Sequence, residues 1–153
     1  MVKQLIYKSQ CVTEITPDLV ETIIFAAARF NEVRGISGIL LYSENVFLQL
    51  LEGDPVEVDD LYKRILADPR HMNIKTVYLG YAENRTYPNW EMRAYSSSES
   101  PIHMLDPAQR EFITSADPLA GKIEYEASWI GSFMRTVCKD HLPEKRPDRS
   151  KFN

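Results

Sequence analysis

Ile36-Ser37-Gly38-Ile39-Leu40-Leu41-Tyr42-Ser43-Glu44-Asn45-Val46-Phe47-Leu48-Gln49-Leu50-Leu51-Glu52-Gly53 decides the fold. Ile36 to Tyr42 and Val46 to Leu51 are apolar runs of strand length, and the polar triplet Ser43-Glu44-Asn45 separates them. That pattern predicts a β-hairpin. The second run is apolar enough to be buried on both faces, apart from Gln49. Burying an amide without partners costs roughly 1–3 kcal/mol, so Gln49 is expected to have a hydrogen-bonding role.

Outward from the hairpin, both flanks carry helix-start signals. Upstream, Thr16-Pro17-Asp18 offers an N-cap hydroxyl, a proline at the first helical position and an acidic first turn. Leu19, Ile23, Ala27 and Phe30 follow at helical spacing, with Ile24 and Ala26 widening the stripe, and Gly35 suits a left-handed C-terminal cap. Downstream, Asp54-Pro55-Val56-Glu57 starts a second helix, with Val58, Leu61, Tyr62 and Ile65 as its buried stripe and Asp68-Pro69 as its stop.

Further strands are expected at Lys3–Ser9, with Leu5 and Tyr7 on one face and Ile6 on the other, at Ile74–Tyr81, and at Trp90–Tyr95. The order βαββαββ predicts a ferredoxin-like α/β (α+β) sandwich with a five-stranded mixed sheet. Right-handed crossovers put the first and third strands side by side in its centre, with both helices on one face. After the polar break Ser96 to Pro101, helices are expected at Pro107–Thr114 and from Pro118 to about Lys139, covering the other face. The expected organisation is a ligand-binding domain over 1–95, a helical cap and output segment over 96–140 and a flexible tail over 141–153.

With 153 residues, 44 % hydrophobic and 26 % charged, the chain is one ordinary globular domain. A net charge of −4 argues against a nucleic-acid surface, and no apolar run is long enough to span a bilayer. Cys11 and Cys138 lie at no metal-ligand spacing, and Met1 leads directly into a strand without a secretory segment. A cytoplasmic protein with free thiols is expected.

On the strand order above, Tyr7 and Gln49 are neighbours pointing at the helices. One phenol cannot use up both donors and the acceptor of an amide, so a third polar partner is required. Asn31, near the end of the first helix, is a candidate on the same side. Ile23, Ile24, Ala27 and Ile65 would line an apolar slot between the helices, suited to a planar heteroaromatic ligand.

Motifs in order carry a resemblance: Leu5-Ile6-Tyr7-Lys8-Ser9, Arg29-Phe30-Asn31 leading into Gly35-Ile36-Ser37-Gly38-Ile39-Leu40, Phe47-Leu48-Gln49-Leu50-Leu51-Glu52-Gly53, Asp68-Pro69-Arg70-His71 and Trp90-Glu91-Met92. Over about Lys3 to Arg93 the chain resembles the BLUF family of blue-light receptors that bind flavin. The resemblance implies non-covalent FAD, the family's usual ligand, with FMN or riboflavin as alternatives. It implies an isoalloxazine ring between the helices, its N5/O4 edge toward Tyr7 and Gln49 and its O4/N3 edge on Asn31. Arg64, Asp68, Arg70 and His71 would lie toward O2 or the ribityl chain. Light-driven electron and proton transfer from Tyr7 would leave the Gln49 amide rotated or tautomerised. Trp90 or Met92 would then change place, and the C-terminal helices would pass the signal to a partner protein. Some family members have a second asparagine where this chain has Phe30.

No enzymatic activity is expected, since the chain is too short for a cyclase or phosphodiesterase after the sensor; output through a downstream protein or a homo-oligomer is. The alternatives are a metabolite-binding or interaction domain without photochemistry, or a small acyl-phosphate hydrolase. The hydrolase would need a phosphate-cradling loop, and Ser9-Gln10-Cys11-Val12-Thr13 contains no glycine.

Overall fold

The computed structural model describes residues 1–88, 92–96, 105–114, 130 and 132–134. The elements run β1 (Val2–Cys11), α1 (Pro17–Arg34), β2 (Ser37–Ser43), β3 (Val46–Gly53), α2 (Pro55–Leu66), β4 (His71–Ala82), β5 (Arg93–Ser96) and α3 (Pro107–Thr114). The five strands form one mixed sheet in the order β4-β1-β3-β2-β5. β3 is antiparallel to both β1 and β2, β4 is antiparallel to β1, and β5 is parallel to β2. This is the expected ferredoxin-like sandwich, with β1 and β3 at its centre.

Local chemistry sets the boundaries. Thr16 caps α1 by accepting from Leu19 N–H, Pro17 follows, and Gly35 ends the helix at φ 63°. Asp54 caps α2 by accepting from Val56 N–H. The hairpin turn is tighter than expected. Ser43 already pairs with Val46, which leaves Glu44-Asn45 as a two-residue turn with Glu44 at φ 50°.

Alternation along the strands sends side chains to two cores. Leu5, Tyr7, Phe47, Leu51 and Met92 pack toward α1 and α2 with Val20, Ile24 and Val58. Ile6, Ile39, Leu41, Leu48 and Leu50 pack on the opposite face, where Ile113 of α3 and Ile130, Phe133 and Met134 cover them. The C-terminal segment therefore closes the second face as expected, so far as it is described. The remainder of the helix expected to about Lys139, the tail over 141–153 and Cys138 lie outside the described residues.

Three expectations need correction. The fully buried face of α1 is Val20, Ile24, Ala28 and Asn31; of the expected stripe, Ile24 is in the core, while Leu19, Ile23 and Ala27 are only partly buried against it. The apolar surface of α1 is wider than the sheet can cover, and its second flank turns toward α2. On α2 only Val58 of the expected stripe is buried, because Leu61 and Ile65 border a cavity. β5 is Arg93–Ser96 rather than Trp90–Tyr95, since its ladder reaches β2 only between Ile39 and Tyr42. Met92 lies just before it, and Trp90 is outside the described residues.

Gly38 has a steric reason. A Cβ there would lie 1.9 Å from Leu50 O of β3 and 3.3 Å from Met92 Cε. Gly38→Ala should therefore push β2 from β3 and destabilise the fold by about 1–3 kcal/mol, the usual cost of overpacking. A lower denaturant midpoint in equilibrium unfolding is the expected result; an unchanged midpoint would show that the close approach is not required.

Candidate functional site

β1 and β3 pair so that Tyr7 and Gln49 are direct cross-strand partners. Tyr7 is 2 % exposed and Gln49 7 %. The Tyr7 hydroxyl donates to Gln49 Oε1. The β1–β4 register shifts between Ile6 and Tyr7, and irregularities of this kind re-aim side chains beside functional sites. The Tyr7 ring also lies 5.6 Å from that of Tyr62 on α2.

The environment of Tyr7 opposes ionisation. Burial raises its pKa far above the usual 10, and the nearby Tyr62 and Asp68 raise it further. Tyr7 is therefore a neutral O–H donor at every physiological pH. That fixes the amide: Gln49 turns its oxygen to Tyr7 and its nitrogen away. Nε2 donates to Met92 Sδ at 3.1 Å, and Met92 is 1 % exposed. The amide nitrogen of Gln49 thus meets a thioether, which is a weak acceptor. One end of the amide is held firmly and the other loosely.

Beside this pair a cavity of about 190 Å³ opens between α1 and α2. Tyr7, Gln49, Leu40 and Phe47 form its floor. Ile23, Ala26, Ala27, Phe30 and Asn31 of α1 face Leu61, Arg64 and Ile65 of α2 across it, and Asp68, Arg70 and His71 stand at one end. Every expected binding residue lines the cavity except Ile24, which is buried in the core beneath α1. Asn31 is 1 % exposed. Its backbone carbonyl accepts from Ile36 N–H, while its buried Oδ1 accepts no hydrogen bond.

Several walls lie beyond the expected residues. Leu40 and Phe47 follow from strand alternation, Phe47 being two residues from Gln49 and Leu40 its cross-strand partner. Phe30 also has a role of its own. The guanidinium groups of Arg34 and Arg64 lie 4.6 and 4.7 Å from its ring centroid, so it links α1 to α2 by cation–π contacts. A larger recess of about 730 Å³ borders the β1–α1 loop and the β2–β3 turn, but among the described residues Cys11 is its one buried wall residue. It lacks the buried amides and the phenol of the slot. Among the described residues no cluster of His, Cys, Asp and Glu could hold a metal.

Asp68 and Arg70 form a paired rim. Arg70 Nη2 donates to Asp68 Oδ2 at 2.7 Å, and Nε contacts both carboxylate oxygens at 3.1 Å. The Arg70 hydrogen bond is the main reason that the Asp68 carboxyl titrates below its usual value. His71 differs. Burial lowers its pKa below 6.5, and nearby Arg70 lowers it further against an opposing pull from Asp68. Its Nδ1 is 2.9 Å from Ser9 Oγ, and its ring packs on Phe47.

Below pH 6.5 the unfolded chain therefore takes up a proton at His71 more readily than the folded chain. Stability contributed by neutral His71 is complete above that pH and is lost as the pH falls below it. The melting temperature should drop between pH 7.5 and 5.5, and His71→Gln should flatten that slope. An equal slope in the variant would remove His71 as its source.

Comparison with known proteins gives the family and supports the fold. The family model BLUF, described as sensors of blue-light using FAD, matches residues 2–93. Photoactivated adenylate cyclase subunit beta of Euglena gracilis is 34 % identical over 105 residues, which are 69 % of this chain and 12 % of that protein. The blue light- and temperature-regulated antirepressor BluF of Escherichia coli (strain K12) is 36 % identical over 87 residues, 57 % of this chain and 22 % of that protein. The chain thus spans only a small part of these relatives. Among solved structures, the dark state of BlrB, a BLUF protein, is 33 % identical with a TM-score of 0.63, covering 71 % of this chain and 81 % of that one. The BlsA ground state, 22 % identical with a TM-score of 0.67, covers 100 % and 99 % of the two chains and supports the fold. The chain belongs to the BLUF family of blue-light sensors that use FAD.

Proposed function

We propose that the slot between α1 and α2 holds the ring system of a flavin, FAD by the family description, and that Tyr7 and Gln49 are its photoactive partners. One observation carries this most directly. The buried Gln49 amide is fixed by a phenol at its oxygen and held only by a thioether at its nitrogen, at the floor of an apolar slot. The donor set fits a flavin. Ile23, Ala27 and Ile65 offer flat apolar walls, and the amides of Asn31 and Gln49 offer the mixed donor and acceptor groups that the polar edge of the ring requires. Arg64, Asp68, Arg70 and His71 would meet the remaining substituents. The cavity is smaller than the ~300–1,000 Å³ of typical drug-sized sites, which suits a ring system whose tail continues out of the opening.

When bound and excited by blue light, the flavin supplies a strong one-electron oxidant. Tyr7 is the group placed to give up the electron. Losing it turns a phenol that resists ionisation into a strong acid, and its proton is already directed at Gln49 Oε1. When electron and proton return to Tyr7, the net change is confined to the amide. Gln49 is left rotated, or with a proton moved from Nε2 to Oε1. Either outcome exchanges donor for acceptor on the side facing Met92. The signal then leaves through the start of β5 and the C-terminal segment. Met92, and Trp90 by family resemblance, are the residues expected to change place. The sensing role needs no catalysis of its own; output passes to a separate signalling protein in the cytoplasm or through a homo-oligomer.

Purified protein should be yellow, shift its absorption to the red under blue light and recover in darkness. A colourless protein that takes up no added flavin would overturn the proposal. Tyr7→Phe should keep the flavin, abolish the shift and cost about 1–3 kcal/mol, because Gln49 Oε1 loses its donor in a buried site. Gln49→Leu should also abolish the shift while keeping the fold. A normal photocycle in either variant would remove that residue from the mechanism.

A further inference from the structure

β3 presents Gln49 to the helix-covered face and, three residues on, Glu52 to the opposite face. Glu52 is 0 % exposed. Its Oε2 accepts from Gln4 Nε2 and Thr86 N–H, and its Oε1 accepts from Tyr87 N–H, all at 2.8 Å. Gln4 Nε2 also reaches Thr86 Oγ1 at 3.2 Å. Arg85, beside them, donates from Nη1 to Ser37 Oγ at 3.0 Å and to Glu52 O at 3.1 Å, and from Nη2 to Gly35 O. The segment after β4 is thus pinned across the end of β2 and β3 by a buried carboxylate and a guanidinium. A carboxylate buried so deeply persists because its hydrogen bonds are made.

Described residues on either side of positions 89–91 belong to the cores on opposite faces of the sheet. Tyr87 packs in the core under the C-terminal residues with Ile113, Ile130 and Phe133, and its hydroxyl donates to the backbone carbonyl of Met134. Five residues later the chain reaches Met92, which receives the Gln49 amide on the helix-covered face. We infer that Tyr87 is a positioning residue for signal output, coupling the Gln49–Met92 contact to the C-terminal segment through its bond to Met134, with Glu52 as the fixed anchor of the segment that carries it. The inference rests on the photoreceptor function proposed above. The bond ends on a backbone carbonyl, so it constrains the path of the C-terminal chain rather than one rotamer. The anchor holds the near end of the segment still, so a displacement of Met92 is taken up between Tyr87 and the C-terminal segment and not spread along β4. Such a route qualifies as coupling only when a two-state element biases it; the Gln49 amide is that element.

The test is hydrogen–deuterium exchange of a peptide covering residues 130–134 in the full-length, flavin-loaded protein, in darkness and under blue light, with the flavin absorption recorded alongside. The wild type should show the red shift and a several-fold change in exchange rate between the two conditions. Tyr87→Phe keeps the ring and loses the hydroxyl; it should keep the red shift while the light-to-dark exchange ratio falls to about one. Glu52→Gln keeps the shape but opposes a donor to Gln4 and Thr86, and should lower the ratio in a protein whose red shift is intact. A wild-type ratio retained in Tyr87→Phe overturns the inference, and if that variant does not fold, a ratio retained in Glu52→Gln does so. A wild-type ratio of one with a normal red shift also overturns it. Absence of the red shift from the wild type defeats the photoreceptor function itself, and the coupling with it.

Discussion

The hydrogen bond from the Tyr7 hydroxyl to the Gln49 amide oxygen orders everything around it. Burial keeps the phenol protonated, the phenol fixes the amide oxygen, and the amide nitrogen is left to a methionine sulfur. In a dry site, electrostatic preferences are strong and unpaired groups are costly. An amide with one firm and one weak partner therefore has a defined resting state and little to hold it there once the firm partner changes. Central strands are the right place for such a pair. β1 and β3 are flanked on both sides by other strands, which would hold their backbones in place during the proposed turn of the side chain.

The sheet also explains how one strand serves two ends. Strand alternation gives β3 a helix-covered face with Phe47, Gln49 and Leu51 and an opposite face with Leu48, Leu50 and Glu52. The first borders the cavity, and the second meets the residues under the C-terminal segment. Gly38 matters to both, because the close approach of β2 to β3 that it permits also seats Met92 beside Gln49.

Much of this was legible in the sequence because it depends on short-range chemistry. The caps at Thr16-Pro17 and Asp54-Pro55 and the left-handed Gly35 follow from local rules and stand in the structure. The lone amide among hydrocarbons at Gln49 pointed to the site. The pairing of Tyr7 with Gln49 needed only the strand order. What failed depended on packing at longer range. Periodicity marks α1 as apolar but does not say which flank meets the sheet and which meets α2, so it places Ile24 in the slot and gives no sign of Ala28, both of which are buried in the structure. The start of β5 is set by where it reaches β2, which no local pattern encodes. No local pattern marks Glu52 as a buried anchor. Its donors are Gln4 on β1 and two backbone amides after β4, contacts between segments far apart in sequence.

In the proposed switch, light acts on the Gln49 side chain while its strand stays in place. The direct measurement is the nitrogen-15 resonance of the Gln49 side-chain amide in the flavin-loaded protein, in darkness and under continuous blue light. This resonance should move under illumination and return in darkness, with the backbone resonances of β1 and β3 nearly unchanged. A flavin red shift accompanied by an unmoved Gln49 side-chain resonance would contradict it.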